Sequence, residues 1–474
     1  MPELLKSVLI ANRGEIALRV IRACKELGIR SILAHSEADA NSLPAQLADE
    51  AVCIGPALSK LSYRDPRALI GAAHAFKAEA IHPGYGFLSE NADFAELCQK
   101  EGVVFVGPAG DVIRKMGDKI EAKKIARAAG VPTVPGSLGA ISDHAEAIAV
   151  AREVGFPLLI KAAAGGGGRG MRVARSLDTL EKDLREIMSE AEVAFGDASV
   201  YIERYLTDIR HIEMQVISDG ETTLHLGERD CTAQRRNQKL IEEAPSPVLD
   251  AGLRQALAEA AVALCRAVSY KNAGTIEFVF DNTERKFYFI EMNTRIQVEH
   301  PVTEMVTGID LIKLQLQIAS GIKLGISQQD IEISGHAIEC RINAEDPQRG
   351  FAPNPGRVLN FRAPGGFGVR MDTHITTGYT IPPFYDSMVG KLICWGKDRN
   401  EAIARMTRAL DELVVEGVTT TAPVPQDHSR LPPVRVRRLQ HLLCRPAVGK
   451  GSARDRLTNQ PARQPDQRAD RLKG

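Results

Sequence analysis

Thr275-Ile-Glu277-Phe-Val-Phe280-Asp281-Asn-Thr283 leads, through Glu284 and Arg285, into Lys286-Phe-Tyr-Phe-Ile-Glu291-Met-Asn293-Thr-Arg295-Ile-Gln297-Val-Glu299. Two β-prone runs around Asp281-Asn282-Thr283 predict an antiparallel hairpin with strands Thr275–Phe280 and Lys286–Glu291. Phe278, Phe280, Phe289 and Ile290 are apolar enough to bind these strands into a packed sheet. Side chains alternate across an extended chain, so the odd-numbered polar residues from 291 to 299 are expected to line one wall, with Glu277 on the neighbouring strand. The carboxylates of Glu277 and Glu291 and the amide oxygen of Asn293 are hard ligands that suit Mg²⁺ held partly by substrate phosphates.

Upstream lies Lys161-Ala-Ala-Ala-Gly165-Gly166-Gly167-Gly168-Arg169-Gly170-Met171, between strand-like Phe156–Lys161 and Met171–Ala174. A glycine-rich hairpin exposes backbone N–H groups and can fold over phosphates, with a Lys and an Arg supplying charge. It lacks the G-x-x-x-x-G-K-[ST] pattern, so no mononucleotide P-loop fold is implied. Further strands are expected at Val200–Tyr205 and His211–Ser218. Next comes a polar segment, Glu228 to Lys239, closing on Glu242-Glu243-Ala244-Pro245. It reads either as a solvated loop or as an anion holder built on Lys239 or its arginines.

The N-terminal part alternates strand and helix. Ser7–Ala11 is a short apolar run, Asn12 is placed to cap a helix, and Ile16, Ala17, Val20, Ile21, Cys24 and Leu27 recur at helical spacing until Gly28. Strand Ser31–Ala34 follows, and the pattern continues to about residue 110 through helices near Arg67–Lys77 and Asn91–Glu101 and strands Ala80–His82 and Val103–Val106. This grammar predicts a parallel sheet with helices on its faces. Asn12-Arg13-Gly14-Glu15 is not G-x-G-x-x-G, which weakens a dinucleotide-binding reading. Val131–Gly136 is Pro/Gly-rich and marks a boundary. A third segment, from about Gly335 to Thr420, mixes strands with a helix at Arg399–Leu413.

At 474 residues the chain suggests about three domains. A composition of 44% hydrophobic and 25% charged residues excludes collagen, a long coiled coil and a wholly disordered chain. Its formal net charge of +0 is a sum of unlike parts. Residues 421–474 hold ten Arg and two Lys against four Asp and no Glu, a surplus of +8 that leaves −8 on the rest. The eight cysteines stand singly without C-x-x-C, so neither a zinc ribbon nor a dithiol motif is written. No apolar run approaches a membrane span, and the first strand starts too early to leave room for a signal peptide; a cytoplasmic protein with no membrane association is expected.

Taken together, His82-Pro-Gly-Tyr-Gly-Phe-Leu-Ser-Glu-Asn91, the glycine hairpin, Gln234–Pro245, Glu291–Glu304 and Ala337–Asp346 resemble the biotin carboxylases of the ATP-grasp superfamily, continuously from about residue 5 to residue 420. The resemblance implies an α/β chain of three-domain ATP-grasp architecture. An N-terminal parallel-sheet domain would span 5–115, an ATP-grasp nucleotide-binding domain 116–333, and a C-terminal mixed α/β domain 334–420 that looks truncated. It further implies ATP-dependent carboxylation of biotin by bicarbonate through carboxyphosphate, the first half-reaction of acetyl-CoA, other acyl-CoA and pyruvate carboxylases. By the same resemblance Lys119, Lys161, the Gly167 and Gly168 backbone, His211 and Asn237 meet ATP, and Glu203, Arg204, Tyr205 and Leu206 form the adenine edge. Glu277, Glu291 and Asn293 match the ligands of two Mg²⁺ or Mn²⁺ ions. Lys239, Arg295 and the Val298 backbone match the bicarbonate site, Glu299 the general base, and Arg341 the residue that holds the biotin ureido group.

Three positions depart from the family pattern. Ala164 replaces a glycine of the loop, Arg204 replaces a Lys used through its backbone, and Asn237 stands where a His near the ribose is usual. No Met-Lys-Met attachment motif occurs, so biotin is expected on a separate biotin carboxyl carrier protein, with carboxyltransferase subunits as further partners and a homodimer if the C-terminal domain is intact. The chain would choose no final acceptor itself.

Past Thr420 the composition changes: residues 421–474 hold seven Pro and no Phe, Tyr, Trp, Ile or Glu. Ordering such a segment costs on the order of 50–100 kcal/mol of backbone entropy. Its ten Val and Leu return at most about 30 kcal/mol. A disordered basic tail is expected, apart from a short helix near Val434–Cys444. Three readings compete: an active biotin carboxylase, a different ATP-grasp ligase with another carboxylate substrate, and an inactive subunit whose basic tail binds nucleic acid or acidic partners. No aromatic residue interleaves the arginines, so nucleic acid is not expected as a partner. The abrupt change suggests, as a hypothesis, a shifted reading frame after about Thr420. Translating the gene's other two frames past Thr420 should restore the family pattern in one of them; failure in both would defeat the idea.

Overall fold

The computed structural model describes residues 2–137, 139–162, 171–235, 238–422 and 447–448. The glycine loop, Asn237 and nearly all of the basic tail, including the expected Val434–Cys444 helix, lie outside them. The apolar runs of the N-terminal part form a five-stranded parallel sheet in the order Glu50–Cys53, Arg30–His35, Ser7–Ile10, Ala80–His82, Val104–Phe105. Alternation gives it two apolar faces. Val8, Ile10 and Leu33 pack with Ile16, Val20, Ile21 and Cys24 of helix Gly14–Leu27. Leu9, Ile32 and Ile81 pack with Leu69, Ala73 and Phe94 of helices Pro66–Ala75 and Ala92–Lys100.

Asn12 does not cap the first helix; Arg13 stands at that position. Its Nδ2 donates instead to the carbonyls of Pro83 and Tyr85, at 2.7 and 2.8 Å. The partner turn lies some 70 residues away in sequence, so local capping chemistry gave no sign of it. Gly84 in that turn has φ +61°, and a Cβ there would come within 2.9 Å of the Asn12 amide nitrogen.

Strands Met171–Ala174, Leu158–Ala162 and Val200–Arg204 make a small antiparallel sheet under helices His144–Val154 and Leu177–Phe195. The rest of the chain is organised by one nine-stranded antiparallel sheet. Its order is Lys286–Asn293, Asn272–Asp281, Asp208–Ser218, Thr223–Arg235, Gln238–Ala244, His336–Asn343, Met388–Gly396, Val369–Thr373. The two-residue strand Ala447–Val448 pairs with Ile209 and Asp208 at its margin. On one face Ile212, Met214, Ile276, Phe278 and Phe280 bury against Leu257, Ala261 and Leu264 of helix Ala251–Ala267 and Ala122 and Ala126 of helix Lys119–Ala128. At the far end Ile338, Cys340, Leu392 and Cys394 pack under Ala402, Met406 and Ala409 of helix Arg399–Glu412.

The 275–299 hairpin forms as expected, with one irregularity that matters. Glu277 opposes Glu291, yet Phe278 opposes Phe289, so the register shifts by one residue at Ile290. A bulge of this kind reverses the alternation. Phe289 and Glu291 are both odd-numbered, but Phe289 joins the core beside Phe278 while Glu291 sits across from Glu277. The straight wall expected up to residue 299 ends at Asn293. There the chain leaves the sheet and turns into helix His300–Thr307, with Glu299 at its N-cap and Pro301 in its first turn. Among the described residues no helix is long and apolar enough to cross a membrane.

Phe278 is fully buried at the centre of the phenylalanine cluster. Phe278→Ala is expected to lower unfolding free energy by about 3–5 kcal/mol, read from the urea midpoint. A loss below about 1 kcal/mol would mean that this core does not hold the sheet.

Candidate active site

Cross-strand register aligns charges on the sheet face opposite the phenylalanine core. Glu291 opposes Glu277, Glu277 opposes Glu213, and Glu213 opposes Arg229. Further along, Glu242 opposes Glu339, Arg341 opposes Lys391, and Lys391 opposes Asp372. Charges taken from water must be paired or neutralised, and here Glu213, Glu277, Arg229, Glu242, Arg341, Lys391 and Asp372 find partners.

Lys239 holds three carboxylates: Glu213 at 2.6 Å, Glu299 at 2.7 Å and Glu277 at 2.9 Å. Burial alone would favour a neutral amine, but Glu213, Glu299 and Glu277 outweigh it and push the Lys239 pKa well up. Arg229 is fully buried and spends its five donors on Glu213, Gln215, Thr303, Thr275 and Gln297. Glu299, 2% exposed, lies between Lys239 and Arg341, whose Nη2 donates to Oε2 at 3.0 Å. Burial raises its pKa, yet Lys239, Arg341 and Arg229 win and hold it well below the usual range.

Arg341 also donates to Glu242 at 2.7 Å. Burial pushes Glu242 up to about 7 against the pull of Arg341. Burial likewise pushes Glu339 well up, and both of its buried oxygens lack a hydrogen-bond partner. For Glu339, Lys391 and Arg341 pull the other way, and burial outweighs both.

Glu277 is the other node. His211 Nε2 lies 2.7 Å from its Oε2, and Asn293 and Gln297 each donate to Oε1 at 2.8 Å. Despite burial, Lys239 and His211 hold it well below an ordinary carboxylate. Glu291 has no hydrogen bond to the described residues, and burial plus the Glu277 charge raise its pKa. A carboxylate without a partner facing a second carboxylate is a donor set that fits a divalent cation, with the Asn293 amide beside it. Arg295 donates to Asn293 Oδ1 at 3.0 Å and to Glu90 at 2.9 Å. The Val298 carbonyl accepts from Lys391 at 2.8 Å.

Lys161 and Lys123 both pair with Glu203 on the small sheet. Burial would raise Glu203, but Lys161 and Lys123 bring it down to about 2. Arg204 pairs with Glu284, and the Tyr205 amide donates to Pro157, which places Leu206 just beyond the strand end. Lys119 is exposed at the start of its helix, close enough to Glu291 to oppose its pKa rise.

Thus Lys239, Glu277, Glu291, Asn293, Arg295, Glu299, Arg341 and His211 converge on one face, whereas Lys161, Glu203, Arg204, Tyr205 and Leu206 form a second group on the small sheet. Gly167, Gly168 and Asn237 lie outside the described residues. Sequence reading missed Glu213, Arg229, Glu242 and Lys391 as members. For Glu213 and Arg229 a signal existed, since charged residues inside strongly β-prone runs require buried partners.

Comparisons with known proteins match the chain along most of its length. The biotin carboxylase N-terminal domain matches residues 4–113, the carbamoyl-phosphate synthase L chain ATP-binding domain 118–327, and the biotin carboxylase C-terminal domain 339–439. The chain is 56% identical over 421 residues to biotin carboxylase 1 of Bacillus subtilis, covering 89% of this chain and 94% of that protein. It is 54% identical over 417 residues to a pyruvate carboxylase subunit of Methanothermobacter thermautotrophicus, covering 88% and 84%. A crystal structure of the biotin carboxylase domain dimer of Hydrogenobacter thermophilus 2-oxoglutarate carboxylase, in complex with MgADP, ADP and bicarbonate, superposes with a TM-score of 0.81 at 45% identity, covering 93% and 99% of the two chains.

Removing Lys239 should reveal the cost of its three carboxylates. Glu277 and Glu299 titrate below an unfolded Glu at about 4.3, so their pairing stabilises fully above that pH and is lost as pH falls through their folded values. Lys239→Met is expected to cost about 3–5 kcal/mol at pH 7, and its deficit should shrink below about pH 4. Chemical denaturation at both pH values checks this; a deficit independent of pH would contradict the pairing.

Proposed function

Because the chain belongs to the biotin carboxylase family and is an ATP-dependent ligase that carboxylates biotin with bicarbonate, we propose the following division of labour among its residues. Lys239, Arg295 and the Val298 amide hold bicarbonate. Glu299 removes its proton, and Arg341 stabilises the negative charge on the biotin ureido oxygen. The observation that carries the reading is the buried Glu299 carboxylate gripped from opposite sides by Lys239 and Arg341.

A base must gain affinity for a proton when its substrate is present. Lys239, Arg341 and Arg229 hold the Glu299 pKa down. Bicarbonate draws on Lys239 and the ureido oxygen draws on Arg341, so both cations turn partly away from Glu299. Its burial then dominates and raises its basicity beside the proton to be moved. Bicarbonate, freed of that proton, attacks the γ-phosphorus of ATP; ADP leaves and carboxyphosphate forms. The phosphate that departs from carboxyphosphate takes the ureido N–H proton, and the ureido nitrogen, freed of it, bonds the released carboxyl carbon. Phosphoryl transfer of this kind depends mostly on positioning and charge neutralisation.

Lys119, Lys161, His211, the Gly167 and Gly168 backbone and Asn237 are assigned to ATP, and the Glu203–Leu206 edge to its adenine. Glu277, Glu291 and Asn293 would hold Mg²⁺ or Mn²⁺, which supplies positive charge against the triphosphate. Biotin is delivered by a biotin carboxyl carrier protein, and carboxyltransferase subunits consume the carboxybiotin. Relatives named for pyruvate and 2-oxoglutarate carboxylation match over as much of the chain as those named simply biotin carboxylase, which supports an acceptor chosen by the partner. The dimer described for the Hydrogenobacter domain supports a homodimer.

The purified protein is expected to hydrolyse ATP only when both bicarbonate and biotin are present. Glu299→Gln and Arg341→Ala should each lower carboxylation by at least about 100-fold while ATP affinity stays near wild type. Hydrolysis indifferent to both cosubstrates would favour a different ligase, and equal losses in ATP affinity would defeat the assigned roles.

A further inference from the structure

Lys391 is a lysine with no solvent exposure, on the strand Met388–Gly396. Its Nζ lies 3.0 Å from Glu15 Oε1 and donates to the Val298 carbonyl at 2.8 Å. Glu15 belongs to the first helix of the N-terminal sheet and accepts a hydrogen bond from the Tyr85 hydroxyl, whose ring lies 5.9 Å from the ammonium. Three parts of the chain, far apart in sequence, therefore meet at one ammonium. Other charges facing it are Glu339 and Arg341 on the adjoining strand, Asp372 on the other side, and His300 at the start of the helix above.

Neutralising Glu15 would not require Lys391 to reach a backbone carbonyl. Val298 is the residue before Glu299, in the turn between Asn293 and helix His300–Thr307. That turn lacks strand partners, so its shape depends on what grips it. Arg229 holds the Gln297 side chain at 2.8 Å on one side, and Lys391 holds the Val298 carbonyl on the other. Holding a peptide carbonyl fixes its peptide plane and so the direction of the neighbouring amides.

We propose that Lys391 is a positioning residue for bicarbonate: by donating to the Val298 carbonyl it orients the turn that presents the Val298 amide and the Glu299 carboxylate. The inference rests on the functional reading above and adds to it a residue from the C-terminal segment that touches no substrate. A small misplacement of such groups costs turnover steeply.

Lys391→Met keeps the unbranched shape of the side chain, one atom shorter, and removes the donor. Steady-state turnover is measured against bicarbonate and against ATP, with thermal melting by circular dichroism. kcat/KM for bicarbonate should fall about 10- to 100-fold, with KM for ATP within about threefold of wild type. Unchanged bicarbonate constants, or equal losses for both substrates, would overturn the assignment. If Lys391→Met does not fold, the double variant K391M/E15M, which removes both buried charges, reads the same constants. A double variant that folds with wild-type bicarbonate constants, or one that still does not fold, makes Lys391 a folding residue only and also overturns it. Wild-type protein without bicarbonate-dependent turnover would instead sink the functional reading itself.

Discussion

An ammonium shared by three buried carboxylates is the constraint on which this structure depends. Lys239 holds Glu213, Glu277 and Glu299 within 2.9 Å, on a sheet face shielded from bulk water. Without that cation, three negative charges would have to be protonated or solvated, and the face could not close. Arg229 performs the same service one layer deeper, with every donor occupied. The apolar side of the sheet supplies the cohesion that tolerates such a polar face, through Phe278, Phe280 and the helices packed on them.

The same constraint explains how binding chemistry is stored in the fold. Glu299 and Arg341 pair with each other, so each is held in place and neither is left as an unpaired buried charge. Glu339, Glu242 and Glu291 sit where burial raises their pKa values, while Glu277 and Glu299 are driven the other way by neighbouring cations. Similar residues are thus shifted in opposite directions by environment alone. Lys391 extends the network to the N-terminal helix through Glu15, so the site is complete only when all three segments pack together.

Much of the architecture was legible locally. The βαβ pattern of residues 7–106 gave the parallel sheet because helical and strand periodicities differ and glycine marks the helix end. The 275–299 hairpin was legible from its β-prone runs. The bulge at Ile290 was not, because a bulge depends on which residues the partner strand offers. Asn12 misled for the opposite reason: local capping chemistry was available, but a turn 70 residues away offered it better hydrogen bonds. The odd-numbered set 291–299 was read as an extended wall. The structure reaches a similar clustering through a turn, with Asn293 and Gln297 both donating to Glu277.

By itself the sequence singled out the candidate residues: oxygen donors at Glu277, Glu291 and Asn293, cations at Lys239, Arg295 and Arg341, and a carboxylate at Glu299. These follow from residue type and ordered motifs, which need no coordinates. Only the tertiary structure decided which charges meet, and hence their protonation. Pairing energies depend on distances across strands that are remote in the chain, such as Arg341 to Glu242 and Lys391 to Glu15. Burial and proximity are properties of the folded sheet, so the partners of Glu213, Arg229 and Lys391 became visible only there.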